Sequence, residues 1–144
     1  MGQQQLLLVI LVTIIVGIAT VVAINTFSGA ADSANLDAVR QDVASIAAAA
    51  QGYYMKPTML GGGGNSFSNL TFNTIAFGAD SIAANGLTAK NANGVYALTV
   101  AATSVTVDIE PASRITGSVL LSSSASDAMQ ATITEGGLAW PDNN

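Results

Sequence analysis

Cysteine and histidine are both missing from this chain of 144 residues. Their absence excludes disulfides, thiol nucleophiles, imidazole bases and nearly all transition-metal sites. Charge is scarce as well, because charged residues make up 9% of the chain, against about 25% in an ordinary soluble domain. Four basic residues and a net charge of −5 provide no electropositive surface for nucleic acid or anionic lipid.

Hydrophobic residues are abundant instead, and they form one long run near the start of the chain. Residues 6–24 read LLLVILVTIIVGIATVVAI, and the first charged side chain is that of Asp32. As a helix, a run of this length can cross the ~30 Å hydrocarbon core of a bilayer. Its leucines, isoleucines and valines number about fourteen and favour insertion by roughly 4–8 kcal/mol in total. The run must therefore be covered by lipid, by a partner chain or by copies of itself.

The flanks of this run carry no basic residue. A secretory signal peptide has a basic start and an apolar core of about 7–15 residues, and a single-span anchor usually has positive charges on one flank. Residues 1–5, MGQQQ, are neutral, and the apolar core here is longer. We therefore expect Met1 to be a processed end from which a basic leader has been removed.

After residue 31 the pattern becomes amphipathic, with apolar residues at spacings of three and four that are typical of one buried helix face. Pro57 should end the helix, because the residue before a proline is displaced from the helical region. The sequence predicts one helix of about 50 residues over 1–56, apolar all round in 1–31 and amphipathic in 32–56. The positions expected to pack on a sheet are Leu36, Val39, Val43, Ile46, Ala50 and Tyr53.

Small residues share one face of the apolar part, at Thr13, Gly17 and Thr20. A stripe of this kind allows two helices to approach closely. Gly17 has the lowest helix propensity of the run, so it is the position at which we expect the helix to loosen if it loosens anywhere.

Residues 57–144 are typical of loops and short strands. The glycines of 61–64 predict a flexible loop, Asn85-Gly86 and Asn93-Gly94 predict hairpin turns, and Glu110-Pro111-Ala112 predicts another turn. Four to five short strands with short connections favour an antiparallel sheet. The predicted fold class is α+β, a long helix packed on a small antiparallel sheet. The candidate strands are 70–77, where the alternation is broken, 96–100, 105–109, 115–121 and 129–133.

Candidate sites for chemistry are few. Asp108 and Glu110 share one face of a strand and could ligate a hard cation such as Ca²⁺, but a solvated pair of acids is far commoner. Asn69 begins an Asn-Leu-Thr glycosylation sequon. We expect no enzyme, no cofactor and no metal.

The apolar run that follows Met1, the amphipathic helix NLDAVRQDVASIAAAAQGYYM and a β domain of this size resemble the type IV pilin superfamily, and its bacterial members more than its archaeal ones. The resemblance covers the pattern of the helix and only the architecture beyond it. It implies a subunit that leaves the inner membrane through pilus assembly machinery and polymerises into an extracellular filament. Such filaments serve adhesion, motility or DNA uptake.

The resemblance also implies roles for individual residues. Met1 would be the processed and N-methylated residue, and Gln5 stands where the family usually has a glutamate that pairs with the N-terminal amine of a neighbour. The C-terminal disulfide of many members has no counterpart here. The residues implied in assembly are Gln5, Leu6, Leu7, Leu8, Ile10, Leu11, Ile14, Ile15, Ile18, Val21 and Val22.

Two alternatives stay open on the sequence. One is a minor pilin or a pseudopilin of a type II secretion system. The other belongs to a different class and is a monomeric single-span membrane anchor that carries a small extracytoplasmic binding domain on an unprocessed N-terminus.

Overall fold

A computed structural model describes residues 2–114 and 129–141 of the chain. The expectations for Met1 and for a strand at 115–121 lie outside these residues. The chain divides into two compact units, Met1–Ala34 and Asn35–Asn144.

One helix, α1, runs from Gly2 to Met55 without interruption. It passes through Gly17, so no loosening is seen there. Its end, two residues before Pro57, is as the sequence predicts. The second part of α1 buries one stripe of side chains and leaves Leu36 half-buried. The buried residues of α1 are Val39, Val43, Ile46, Ala47, Ala50 and Tyr53.

The glycine-rich segment after the helix is a folded cap and not the flexible loop that the sequence suggested. The N–H of Gly63 donates to the carbonyl of Tyr53 at 2.8 Å, and the N–H of Gly64 donates to the carbonyl of Lys56 at 3.0 Å. These bonds satisfy carbonyls that the end of a helix leaves without partners. A Cβ on Gly63 would collide with the carbonyl of Ser66, so the close return of the chain depends on glycine.

Six antiparallel strands follow and form one sheet in chain order. The first four strands are β1 (Ser81–Ile82), β2 (Thr88–Lys90), β3 (Gly94–Val100) and β4 (Ser104–Pro111), and the last two are β5 (Met129–Thr134) and β6 (Gly137–Ala139). Asn85-Gly86 lies in the β1–β2 connection, where Gly86 has φ of +70°, and Asn93-Gly94 connects β2 to β3. Both predicted turns are therefore confirmed, and so is the α+β fold class.

Two further local predictions were wrong. Residues 70–77 form consecutive turns instead of a strand, because hydrogen bonds within the segment close it: the Thr71 N–H donates to Oγ1 of Thr74 at 2.9 Å, and that hydroxyl donates to the carbonyl of Thr71 at 2.8 Å. The turn expected at Pro111 begins later, because Pro111 still pairs with Gly94 in the sheet. The chain then enters a short 3-10 helix over Ala112–Arg114.

The core lies between α1 and one face of the sheet. Strand alternation places Tyr96 and Leu98 of β3 on this face, beside Val107 and Ile109 of β4 and Ile133 of β5. The turns of 66–77 add four further buried side chains, those of Phe67, Leu70, Phe72 and Ile75. Each large apolar side chain removed from water contributes about 1.5–3 kcal/mol, so this helix-on-sheet contact holds the second unit together.

Candidate functional site

The apolar run of α1 is exposed along its whole length. Exposure ranges from 47% at Ile10 to 67% at Leu7 among the residues implied in assembly, and Gln5 is exposed as well. The most apolar stretch of 18 residues has a mean hydropathy of 3.2, and none of it is buried. The helix is therefore long and apolar enough to cross a membrane.

The threonine hydroxyls within this run form hydrogen bonds to backbone carbonyls of the same helix. The Thr13 hydroxyl donates to the carbonyl of Val9 at 2.7 Å, and the Thr20 hydroxyl donates to the carbonyl of Val16 at 2.8 Å. A buried hydroxyl is costly only when it lacks a hydrogen bond. The run can therefore enter lipid or a protein core without leaving either hydroxyl unpaired.

In the second unit, the side chain of Asp42 on α1 gathers three donors from the sheet. Its Oδ2 atom accepts hydrogen bonds from Asn91 Nδ2 at 2.8 Å, Asn93 Nδ2 at 2.8 Å and Tyr96 Oη at 2.7 Å. We call these four residues the Asp42 clamp. Because Asn91 and Asn93 lie in the β2–β3 connection and Tyr96 lies in β3, the clamp ties the helix to one end of the sheet.

Local turn chemistry orients the Asn91 amide of the clamp. Asn91 Oδ1 accepts hydrogen bonds from the backbone N–H groups of Asn93 at 2.9 Å and Gly94 at 3.1 Å, as in an Asx turn. With that oxygen engaged, the amide nitrogen points to the carboxylate. Asn35 lies two helical turns before Asp42 on α1. Its Nδ2 donates to the carbonyl of Asn93 at 3.0 Å, and its Oδ1 accepts from the N–H of Ser113 at 3.1 Å.

The clamp shifts the pKa values of Asp42 and Tyr96 in opposite directions. Burial alone would raise the pKa of Asp42, but hydrogen bonds from Asn93, Asn91 and Tyr96 outweigh it and hold that pKa below its ordinary value. Burial, followed by the hydrogen bond to Asp42, raises the pKa of Tyr96. The carboxylate thus stays charged and the phenol stays neutral at physiological pH. A carboxylate whose receiving oxygen already has three donors is suited to holding the fold.

The end of α1 is tied to the β5–β6 turn by a second polar contact. Tyr54 Oη donates to Glu135 Oε2 at 3.0 Å, and this hydrogen bond raises the pKa of Tyr54. The Tyr54 ring packs on Phe67 with a centroid distance of 4.7 Å. The helix is therefore anchored to the sheet at both ends of its buried stripe.

The candidate cation ligands, Asp108 and Glu110, both lie on β4. Asp108 Oδ1 accepts a hydrogen bond from Gln130 Nε2 at 2.7 Å on the face of the sheet that points away from the helix. Within residues 2–114 and 129–141, no group of three or more acidic, histidine or cysteine side chains is placed to hold a metal. Asn69 of the sequon is exposed.

A groove of about 580 Å³ lies between the turns that begin at Ser68 and the side chains of the β1–β2 connection, β2 and β3. The side chains that line it are hydroxyls, amides and aliphatic groups, with no charged residue among them. It lacks the titratable groups that acid–base or nucleophilic catalysis requires.

Sequence reasoning missed the Asp42 clamp. A signal was present in Asn91-Ala92-Asn93-Gly94, where two amides two residues apart before a glycine are typical of a side-chain-closed turn. Nothing in the sequence pairs that turn with Asp42. Comparisons with protein-family models, curated proteins and solved structures give no match to this chain.

Proposed function

We propose that this chain is a structural subunit that polymerises into a helical extracellular filament similar to a type IV pilus. One observation carries the proposal. The helix α1 presents an uncharged apolar surface on every face of residues 6–24, with its threonine hydroxyls already satisfied. A helix that is apolar all round requires burial on all sides.

Bundled copies of the same helix can supply that burial. A surface that docks on a different surface of the next copy makes a heterologous contact, and such contacts build open fibres when the rotation does not close. Absence of charge before Asp32 suits a core many chains deep, because a charge buried there would need a partner. Within the second unit, the Asp42 clamp holds the sheet to the later part of α1.

The proposal includes the route to the fibre. Before assembly the apolar run would lie in the inner membrane, and pilus assembly machinery would extract it. Met1 would be processed and N-methylated. Gln5 would replace the charged contact of the resembling family with a neutral hydrogen bond, because an amide cannot supply a carboxylate charge.

The test is a charge substitution inside the run with a matched control at the same position. Val16→Asp should abolish fibres in electron micrographs of material sheared from cells, while Val16→Leu should leave their yield unchanged. Val16 is 57% exposed, so neither change disturbs the folded second unit. Fibres of Val16→Asp at normal yield would overturn the proposal.

The same run also favours a second candidate, because a helix able to cross a membrane is sufficient for a single-span anchor that carries a small binding domain. That candidate requires a monomer in detergent and cells without fibres of this chain. A minor pilin or pseudopilin would give fibres that are short or depend on another major subunit. Fibres composed mainly of this chain would exclude the single-span anchor and also the minor pilin or pseudopilin.

A further inference from the structure

Two asparagines in this chain precede a glycine, Asn85 and Asn93. An Asn-Gly pair is prone to deamidation, because glycine has no side chain to hinder its backbone nitrogen when that nitrogen attacks the asparagine side chain. The nitrogen of the glycine forms a bond to Cγ of the asparagine, the Cγ–Nδ2 bond breaks, and ammonia leaves. Water then opens the resulting imide to aspartate or isoaspartate. The reaction needs a free amide side chain and a backbone nitrogen that can turn towards it.

The fold blocks both requirements at Asn93. Its Nδ2, the leaving group, donates to Asp42 Oδ2 at 2.8 Å, and the carboxylate beside it opposes the negative charge that develops during attack. The N–H of Gly94 donates to Asn91 Oδ1 at 3.1 Å. Gly94 also pairs with Pro111 in the sheet, so its nitrogen cannot turn without breaking the start of β3.

Asn85 lies in a different setting. Its side chain is exposed, and its one hydrogen bond within the described residues uses Oδ1, which accepts from the N–H of Leu87 at 3.0 Å. Accepting through that oxygen leaves the leaving nitrogen free. The N–H of Gly86 donates to the carbonyl of Ala83 at 2.8 Å, a bond next to β1, which is a two-residue strand at the edge of the sheet. Edges of this kind open locally at little cost.

We propose that Asn85 is the deamidation site of the folded chain and that the Asp42 clamp protects Asn93 from the same reaction. Deamidation at Asn85 adds a carboxylate to an exposed turn. At Asn93 it would set a second carboxylate against Asp42, where like charges repel. The fold thus shields the amide on which its helix–sheet contact depends.

The experiment compares the two pairs within one chain. The full-length protein in detergent is incubated at mildly alkaline pH, and mass spectrometry follows the conversion of each asparagine with time. Peptides released from the same chain by protease digestion give the rate of each pair without the fold. We expect similar rates in the peptides, and in the folded protein a rate at Asn93 more than about tenfold below that at Asn85, since a charge-assisted hydrogen bond must break first. Equal rates in the folded protein, or a faster rate at Asn93, would overturn the proposal.

Three variants test the role of the carboxylate. Asp42→Asn should speed conversion of Asn93, whereas Asp37→Asn, an exposed acid on the same helix, should not change it. Tyr96→Phe is the control for a weakened fold, because it removes one donor to the carboxylate and keeps the hydrogen bonds of both asparagine amides. Conversion of Asn93 should stay slow in this variant. If Asn93 stays as slow in Asp42→Asn as in the parent chain, Asp42 is not the protecting group.

Discussion

Tyr96 Oη donates a hydrogen bond of 2.7 Å to Asp42 Oδ2, and this contact joins the amphipathic part of α1 to β3. The Tyr96 side chain is fully buried, so its hydroxyl depends on the carboxylate for its partner. The contact places a charged acceptor beside the apolar stripe that faces the sheet. It gives the helix a fixed position along the sheet, which apolar packing alone specifies less sharply.

Removal of this carboxylate should destabilise the fold. Asp42→Ala leaves the Tyr96 hydroxyl and two amides without their acceptor, and an unsatisfied buried polar group costs about 1–3 kcal/mol. Thermal unfolding of the full chain in detergent, followed by near-ultraviolet circular dichroism, measures the loss. The control is Asp37→Ala, which removes an exposed pair with Arg40 at 3.3 Å, worth at most about 1 kcal/mol. Equal melting temperatures for the two variants would contradict the role assigned to the clamp.

Acid should weaken the folded state through the same carboxylate. The pKa of Asp42 is lowered below its ordinary value of 3.8 in the fold. Its contribution is therefore fully present above about pH 3.8 and is lost as pH falls through the folded pKa, because the unfolded chain takes up the proton first. Unfolding free energies measured between pH 2 and pH 6 should fall less steeply at the acid end in Asp42→Asn than in the parent chain. Parallel curves for the two proteins would refute this assignment.

High pH should also weaken the folded state, in this case through ionisation of Tyr96. The pKa of Tyr96 is raised above its ordinary value of 10.0, so its contribution is present below about pH 10. It is lost as pH rises, because the unfolded chain releases the phenolic proton first. The loss of stability above pH 10 should be smaller in Tyr96→Phe. Tyr54→Phe is the control, because Tyr54 bonds to Glu135 at an exposed position, and its removal should change the alkaline limb less.

The glycine cap after α1 gives a prediction that compares two glycines. A Cβ on Gly63 would collide with the carbonyl of Ser66 and approach the Tyr53 ring, so Gly63→Ala should cost about 1–3 kcal/mol. Gly52 lies in α1, where a Cβ would meet nothing within 4 Å. Gly52→Ala should therefore stabilise the chain by about 0.5–1 kcal/mol. The two melting temperatures should move in opposite directions, and a neutral Gly63→Ala would show that the cap is loose.

Periodicity allowed most of the fold to be predicted, because it records local burial. Val39, Val43 and Ile46 repeat with helical spacing and are buried, and the alternation through Val105 and Val107 marks a strand with one buried face. Residues 70–77 were misread for a related reason. Apolar side chains there point to the core from consecutive turns, and composition alone does not separate a buried turn from a buried strand.

The clamp could not be predicted because its partners are distant in the chain. Asp42 lies 49 residues from Asn91, 51 from Asn93 and 54 from Tyr96. A carboxylate on an amphipathic helix is normally solvated, and only the register of α1 on the sheet brings these donors to it. The exposed run of 6–24 is the opposite case, since its composition alone determines that it needs a covering.

Cross-linking between copies distinguishes a many-chain core from a dimer or a lone anchor. The chain has no cysteine, so each introduced cysteine reports one position without background. Ile14, Ile15 and Val16 point in three directions about 100° apart around the helix, and Ile18 shares the face of Ile14; the four are 54–61% exposed. If copies surround the helix on every side, disulfides should form in fibres from cysteines at all four positions, wherever the Cβ atoms of neighbours come within about 3.5–4.5 Å or relax to that distance. A two-helix dimer would form disulfides only from cysteines on one face of the helix, and a monomeric anchor would form none. A cysteine in place of Val16 that cross-links while those at the other three positions do not would therefore replace the filament core with a paired helix.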